Sequence, residues 1–191
     1  DGQTALIGID DEWGRGIAAK IHSGADVFPV SVASSLDHGV SAPDGILQHR
    51  EDGKLVASLD LRMLAALRGR HNWQNACMAY GAAYALGLKA ETIMEAMISF
   101  PGLAHRMQQV ASLGKVGFVN DSKATNADAA EKALVSYDDI FWIAGGLAKA
   151  GGVAALSPHF ARIKKAYLIG VSAADIAKEL DGRVPFVIAE T

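Results

Sequence analysis

An α/β fold built largely on parallel strands follows from three features of these 191 residues. Apolar runs at residues 4–9 (TALIGI) and 27–32 (VFPVSV) flank a segment whose apolar positions recur at helical spacing. The same alternation returns late in the chain, where strand-like runs at 140–144, 166–169 and 185–188 enclose a helical pattern at 173–180. Between the two alternations, Phe100-Pro101-Gly102 stops a helical pattern and the periodicity changes at once. That step sets the expected boundary between domains of residues 1–101 and 102–191.

Each element has its own local reason. Residues 13–22 carry Trp13, Ile17, Ala18 and Ile21 on one helical stripe. Residues 34–45 are rich in Ser, Asp, Gly and Pro and are expected as loop. Residues 46–50 and 54–58 flank Glu51-Asp52-Gly53, and the Asp-Gly step predicts a hairpin. Residues 72–86 form a small-residue helix through Ala76, Ala79, Ala82, Ala83 and Leu86, with Gly87 placed as its C-cap. Residues 91–99 make a further helix. Beyond the boundary, residues 107–111 and 116–119 flank Ser112-Leu113-Gly114-Lys115 as a second hairpin. Residues 128–135 are helical, 140–144 (IFWIA) form a fully apolar strand, and 145–152 form a glycine-rich loop.

Composition narrows the function classes. Half of the chain is hydrophobic and 20% is charged, which suits a soluble domain with a core. A net charge of −3 argues against a broad nucleic-acid footprint. Cys77 is the only cysteine, so no internal disulfide forms, in keeping with a reducing cytosol. No apolar run approaches the roughly 18 residues needed to cross a bilayer, so no membrane insertion is expected. The chain opens at Asp1, without Met or a signal-peptide pattern, and is expected to be an excerpt of a longer protein.

Several motifs invite chemistry. Gly14-Arg15-Gly16-Ile17-Ala18-Ala19 matches G-x-G-x-x-A after a strand, but no acidic ribose partner follows about 20 residues on, so an ordinary helix start is the better reading. His22, His38, His49 and His159 read as surface or loop residues, and no metal-ligand spacing joins them. Nothing reads G-x-x-x-x-G-K-[ST]; Gly53-Lys54 and Gly114-Lys115 fall in hairpins. At residues 71–75 (HNWQN), Asn72 fits an N-cap and Asn75 lies one turn inward; the bare residues favour capping over ligand contact. The densest polar string is Asn120-Asp121-Ser122-Lys123-Ala124-Thr125-Asn126, between a strand and a helix. Capping by Thr125 or Asn126 accounts for one residue and leaves Asp121 and Lys123 unexplained. In the glycine-rich loop Lys149 offers a point charge for a carboxylate or phosphate, although a solvated lysine explains it equally well. Two polar loops leaving neighbouring strands shift the balance toward a site.

The ordered set His71-Asn72-x-x-Asn75, Leu103-Ala104-His105-Arg106, the 120–126 string and Gly145-Gly146-x-x-Lys149 resembles the Mur ligases. Within that family, Asp-Ser-Lys-Ala-Thr-Asn is similar to the members that add D-glutamate. The resemblance spans nearly the whole chain. It implies an α/β chain in which residues 1–101 are the later part of a P-loop-type central ATPase domain and 102–191 most of a Rossmann-like C-terminal domain. It further implies a cytoplasmic, ADP-forming ligase, monomeric at full length, that uses ATP and Mg2+ to join D-glutamate to UDP-N-acetylmuramoyl-L-alanine through an acyl phosphate in peptidoglycan precursor synthesis. Asn75, Arg106 and Asp121 would contact ATP; Lys123, Thr125 and Lys149 would line the D-glutamate side. The phosphate loop and metal ligands would lie outside these residues, leaving no catalytic residue assigned here and the 191 residues inactive alone. Two other readings stand beside it: a Mur or folylpolyglutamate-type ligase for a different amino acid, and a non-catalytic α/β nucleotide-binding module.

Overall fold

The computed structural model describes residues 3–21, 24–147 and 151–189. The chain divides into two units, Asp1–Gly102 and Leu103–Thr191.

In the first unit β1 (Gln3–Gly8) and β2 (Ala25–Ser31) pair in parallel, with Leu6 opposite Phe28. The connecting helix α1 (Glu12–Ala18) starts where Asp11 Oδ1 accepts the Gly14 N–H at 2.7 Å. This helix is shorter than the expected 13–22, because the amides of Lys20 and Ile21 bond three residues back and close a tighter turn. Its apolar stripe is not core: Trp13 is 85% exposed and Ile17 54%.

The expected loop at 34–45 contains a short strand, β3 (Gly39–Ser41). Val40 is fully buried and sits opposite Val30, so an apolar position inside this polar stretch extends the sheet. At β3 the sheet changes from parallel to antiparallel pairing, giving the order β1-β2-β3-β4-β5 with β4 (Ile46–Glu51) and β5 (Lys54–Asp60). The β4–β5 turn holds Asp52 at φ 49° and Gly53 at φ 78°, the left-handed pair that matches strand twist in a two-residue hairpin.

Helix α2 (Arg70–Ala85) lies close on this sheet: a Cβ at Gly81 would stand 2.6 Å from Leu6 Cδ2. Gly87, at φ 88°, ends it through Gly87 N–H to Tyr84 O and Leu88 N–H to Ala83 O, followed by α3 (Ala90–Ser99). His49 is not a surface residue. The two-residue period of β4 puts it beside Leu47 on the core face, fully buried, with Nδ1 3.1 Å from the buried Tyr80 hydroxyl. Burial lowers the His49 pKa, with Glu51 opposing and His38 adding to the shift. Burial likewise pushes the Tyr80 phenol and the Cys77 thiol up to about 12.

In the second unit β6 (Gln108–Leu113) and β7 (Val116–Asn120) form an antiparallel hairpin turning at Gly114. A separate parallel sheet has the order β10-β9-β8, from β8 (Ile140–Gly145), β9 (Ile163–Ile169) and β10 (Phe186–Ile188). The polar loops after β7 and β8 therefore do not leave neighbouring strands. The tight turn at Gly114 pairs β7 with its sequence neighbour, while β8 takes β9 as its partner. The run 140–144 is apolar throughout yet alternates in burial: Ile140, Trp142 and Ala144 are half-buried, while Phe141 and Ile143 are exposed.

Helix α4 (Ala127–Ser136), a 3-10 helix (Ala154–Arg162) and α5 (Ala173–Leu180) complete the unit around Leu134, Leu156, Phe160, Leu168 and Leu180. His159 is half-buried rather than free on the surface; its Nε2 meets Glu131 Oε1 at 2.9 Å and ties the 3-10 helix to α4.

Candidate functional site

The 120–126 string folds as a closed loop whose polar residues have separate tasks. Asn126 caps α4 by accepting the Ala129 N–H at 2.8 Å. Asn120 Oδ1 accepts the Ser122 N–H at 3.1 Å, and Asp121 O accepts the Ala124 N–H at 2.8 Å. These local bonds make a rigid turn directly after β7.

A second segment locks onto that loop. Residues 103–106 form a turn, with Arg106 N–H on Leu103 O, and the two residues flanking Arg106 are left-handed: His105 at φ 65° and Met107 at φ 49°. Met at positive φ is uncommon and strained, so surrounding contacts must enforce it. Three do. Met107 N–H donates to Asp121 Oδ1 at 2.9 Å, Lys123 N–H donates to His105 O at 3.0 Å, and the Asn120 amide meets His105 Nδ1 at 3.0 Å. Met107 itself is buried and anchors the turn.

The arrangement leaves charged groups outward. Arg106 and Lys123 are exposed, and their side chains make no hydrogen bond or ion pair with the described residues. Asp121 is half-buried; Oδ1 holds Met107, while no bond from the described residues occupies Oδ2. Two cations and a carboxylate oxygen thus share one small surface, chemistry suited to a ligand carrying both anionic groups and hydroxyls. Asp121 also acquires a structural task that sequence reasoning had not given it.

The glycine-rich loop is pinned at both described ends. A Cβ at Gly145 would sit 1.9 Å from Ile169 O, so only glycine lets β8 end against β9. Glu179 accepts the Val153 N–H at 2.9 Å, against Gly152. Lys149 lies outside the described residues. Thr125 is exposed beside the α4 cap.

In the first unit Asn72 does not cap α2. Gly69 occupies that position at φ 93°, and Asn72, one turn inside and buried, donates from Nδ2 to Arg68 O at 2.9 Å. Asn75 is exposed, its Nδ2 3.5 Å from Asn72 Oδ1. Nearby, Asp10 fastens the end of β1 to the end of β2 by accepting from the Ser31 hydroxyl and from Val32 N–H at 2.8 Å. Its signal in the sequence was an acid directly after an apolar strand. His105 and Asn120 were quoted in the motifs without a role, because a left-handed backbone leaves no trace in the residue pattern.

No protein-family model matches the chain. The UDP-N-acetylmuramoylalanine--D-glutamate ligase of Phenylobacterium zucineum is 48% identical over 192 residues, covering 100% of this chain and 41% of that protein. That of Paramagnetospirillum magneticum is 49% identical over 191 residues, with the same coverage. Over its whole length the chain is similar to these ligases. It spans about two fifths of the length of the curated relatives it matches. Among solved structures, MurF from Acinetobacter baumannii aligns with 97% of this chain and 43% of its own, at TM-score 0.67 and 18% identity. MurC from Thermotoga maritima aligns with 93% of this chain and 46% of its own, at TM-score 0.58 and 17% identity. At such identities the likeness speaks for the fold, which is mixed α/β with parallel sheets.

Proposed function

We propose that the whole protein containing these residues is a cytoplasmic, monomeric, ATP-dependent ligase that joins D-glutamate to UDP-N-acetylmuramoyl-L-alanine. The observation that carries this reading is the Asp121-Ser122-Lys123-Ala124-Thr125-Asn126 loop tied to the Arg106 turn, in a chain 48% identical to a ligase of that name. ATP transfers its terminal phosphoryl group to the muramoyl-alanine carboxylate, giving an acyl phosphate and ADP, and the D-glutamate amine then attacks the acyl carbon and displaces phosphate.

The residues here bind and orient. The Arg106 fork donates two parallel hydrogen bonds to phosphate oxygens. The open oxygen of Asp121 accepts from the ribose hydroxyls, and Asn75 offers an amide to ATP. Lys123, Thr125 and Lys149 serve the D-glutamate side. Holding anionic reactants in line and neutralising them is the main demand of such a transfer. Among the described residues no group of three or more His, Cys, Asp or Glu is arranged to hold a metal. The ligands of Mg2+ belong to parts of the whole protein beyond these residues.

Lys149→Ala in the full-length enzyme tests the reading. The Michaelis constant for D-glutamate should rise by about one to two orders of magnitude, each tenfold being ~1.4 kcal/mol, while that for ATP stays within about twofold. Arg106→Ala should do the reverse. Loss of ATP use alone on Lys149→Ala would show that the roles are wrongly divided.

A further inference from the structure

We propose that His105, as a neutral imidazole protonated on Nε2, is the positioning residue that locks the Arg106 turn to the 120–126 loop. The inference rests on reading Arg106 and Asp121 as ATP contacts, and it adds a residue that touches neither ATP nor amino acid.

One donor at this contact has a fixed identity. The Ser122 backbone N–H can only donate, and it lies 3.1 Å from one end of the Asn120 amide, so that end is Oδ1. The other end, Nδ2, is then the group 3.0 Å from His105 Nδ1. An amide NH2 has hydrogens to give and no lone pair to receive, so Nδ1 must accept. The ring proton of the neutral imidazole is therefore on Nε2. A protonated ring would set donor against donor. Turning the amide over gives no relief, because Nδ2 would then face the Ser122 N–H.

Only one protonation state satisfies both contacts. The lock also works on a strained backbone. His105 at φ 65° takes the Lys123 N–H on its carbonyl at 3.0 Å and gives its own N–H to Gln108 Oε1 at 2.9 Å. Two residues on, Met107 at φ 49° gives its N–H to Asp121 Oδ1. Arg106 lies between these two anchored residues, so its direction relative to Asp121 depends on both. The charged groups on the two segments that meet at His105 are Arg106, Asp121 and Lys123.

The test uses the full-length enzyme and two substitutions that both tolerate positive φ. His105→Gly keeps the backbone conformation and removes the acceptor. His105→Asn keeps the conformation and offers Oδ1 where Nδ1 stood, with no ring to protonate. His105→Gly should raise the Michaelis constant for ATP about tenfold and leave that for D-glutamate in place, the scale of one lost hydrogen bond. His105→Asn should stay within about twofold of wild type. Unchanged ATP use in His105→Gly, or equal damage in both variants, would overturn the lock. Arg106→Ala separates the two levels of the claim. If it weakens ATP use and His105→Gly does not, only the lock fails; if neither does, the ATP reading fails and the lock with it.

Discussion

Two polar strings open helices in this chain, and they use their side chains in opposite ways. At the start of α2, Asn72 is buried and its amide serves the backbone at Arg68, with Asn75 leaning on it from the surface. At the start of α4, one residue caps the helix, two fasten the loop to the Arg106 turn, and the charged ends of Arg106 and Lys123 stay in solvent. Density of polar residues does not by itself mark a ligand site. What marks it is a loop whose internal hydrogen bonds are already met while charged groups are left over.

The comparison breaks most completely if the 191 residues act alone. They contain no phosphate loop, so the transferring phosphoryl group would have no clamp. Purified residues 1–191 should show no phosphate release that depends on both UDP-N-acetylmuramoyl-L-alanine and D-glutamate. Release above the no-enzyme control, abolished by omitting either substrate, would refute this.

Smaller in size is the contrast between the two asparagines of α2. Asn72→Ala removes a buried hydrogen bond and should lower stability by about 1–2 kcal/mol, read as a drop in thermal unfolding temperature. Asn75→Ala should cost under about 0.5 kcal/mol while raising the Michaelis constant for ATP. Equal stability losses with unchanged ATP use would make the whole α2 string structural.

The smallest expected effect concerns His49. Its folded-state pKa is lowered from 6.5, so above that pH both folded and unfolded chains hold it neutral and stability is indifferent. Below 6.5 the unfolded chain takes up the proton first, and stability falls until the folded-state value is reached. Unfolding temperatures on either side of pH 6.5 should show this acid slope, and His49→Gln should flatten it. A slope unchanged by that substitution would place the acid-sensitive group elsewhere.

The alternating elements were readable because periodicity and turn chemistry are local. Asp52-Gly53 and Gly87 did in the structure what their residue types require. Legibility failed where a partner decides the outcome. Val40 became strand because β2 and β4 pass on either side, and residues 19–21 left the helix although their apolar spacing continues. His49 was misread because histidine is not among the residues most often fully buried, although its i,i+2 relation to Leu47 was already in the sequence. In the candidate site, residue types and their order identified the loop. Which strands lie beside it, and the left-handed turn that aims Arg106, depend on long-range pairing and on backbone angles that no motif states.

Asp121→Asn in the full-length enzyme most directly tests the claim that this loop is an ATP-contacting surface. Asparagine keeps an Oδ1 to accept the Met107 N–H, so the loop stays closed, while the charge that would serve the ribose hydroxyls is lost. The variant should unfold within about one degree of wild type, with a Michaelis constant for ATP raised about tenfold and an unchanged constant for D-glutamate. An unchanged constant for ATP in a stable variant, or weakened D-glutamate binding in its place, would contradict it.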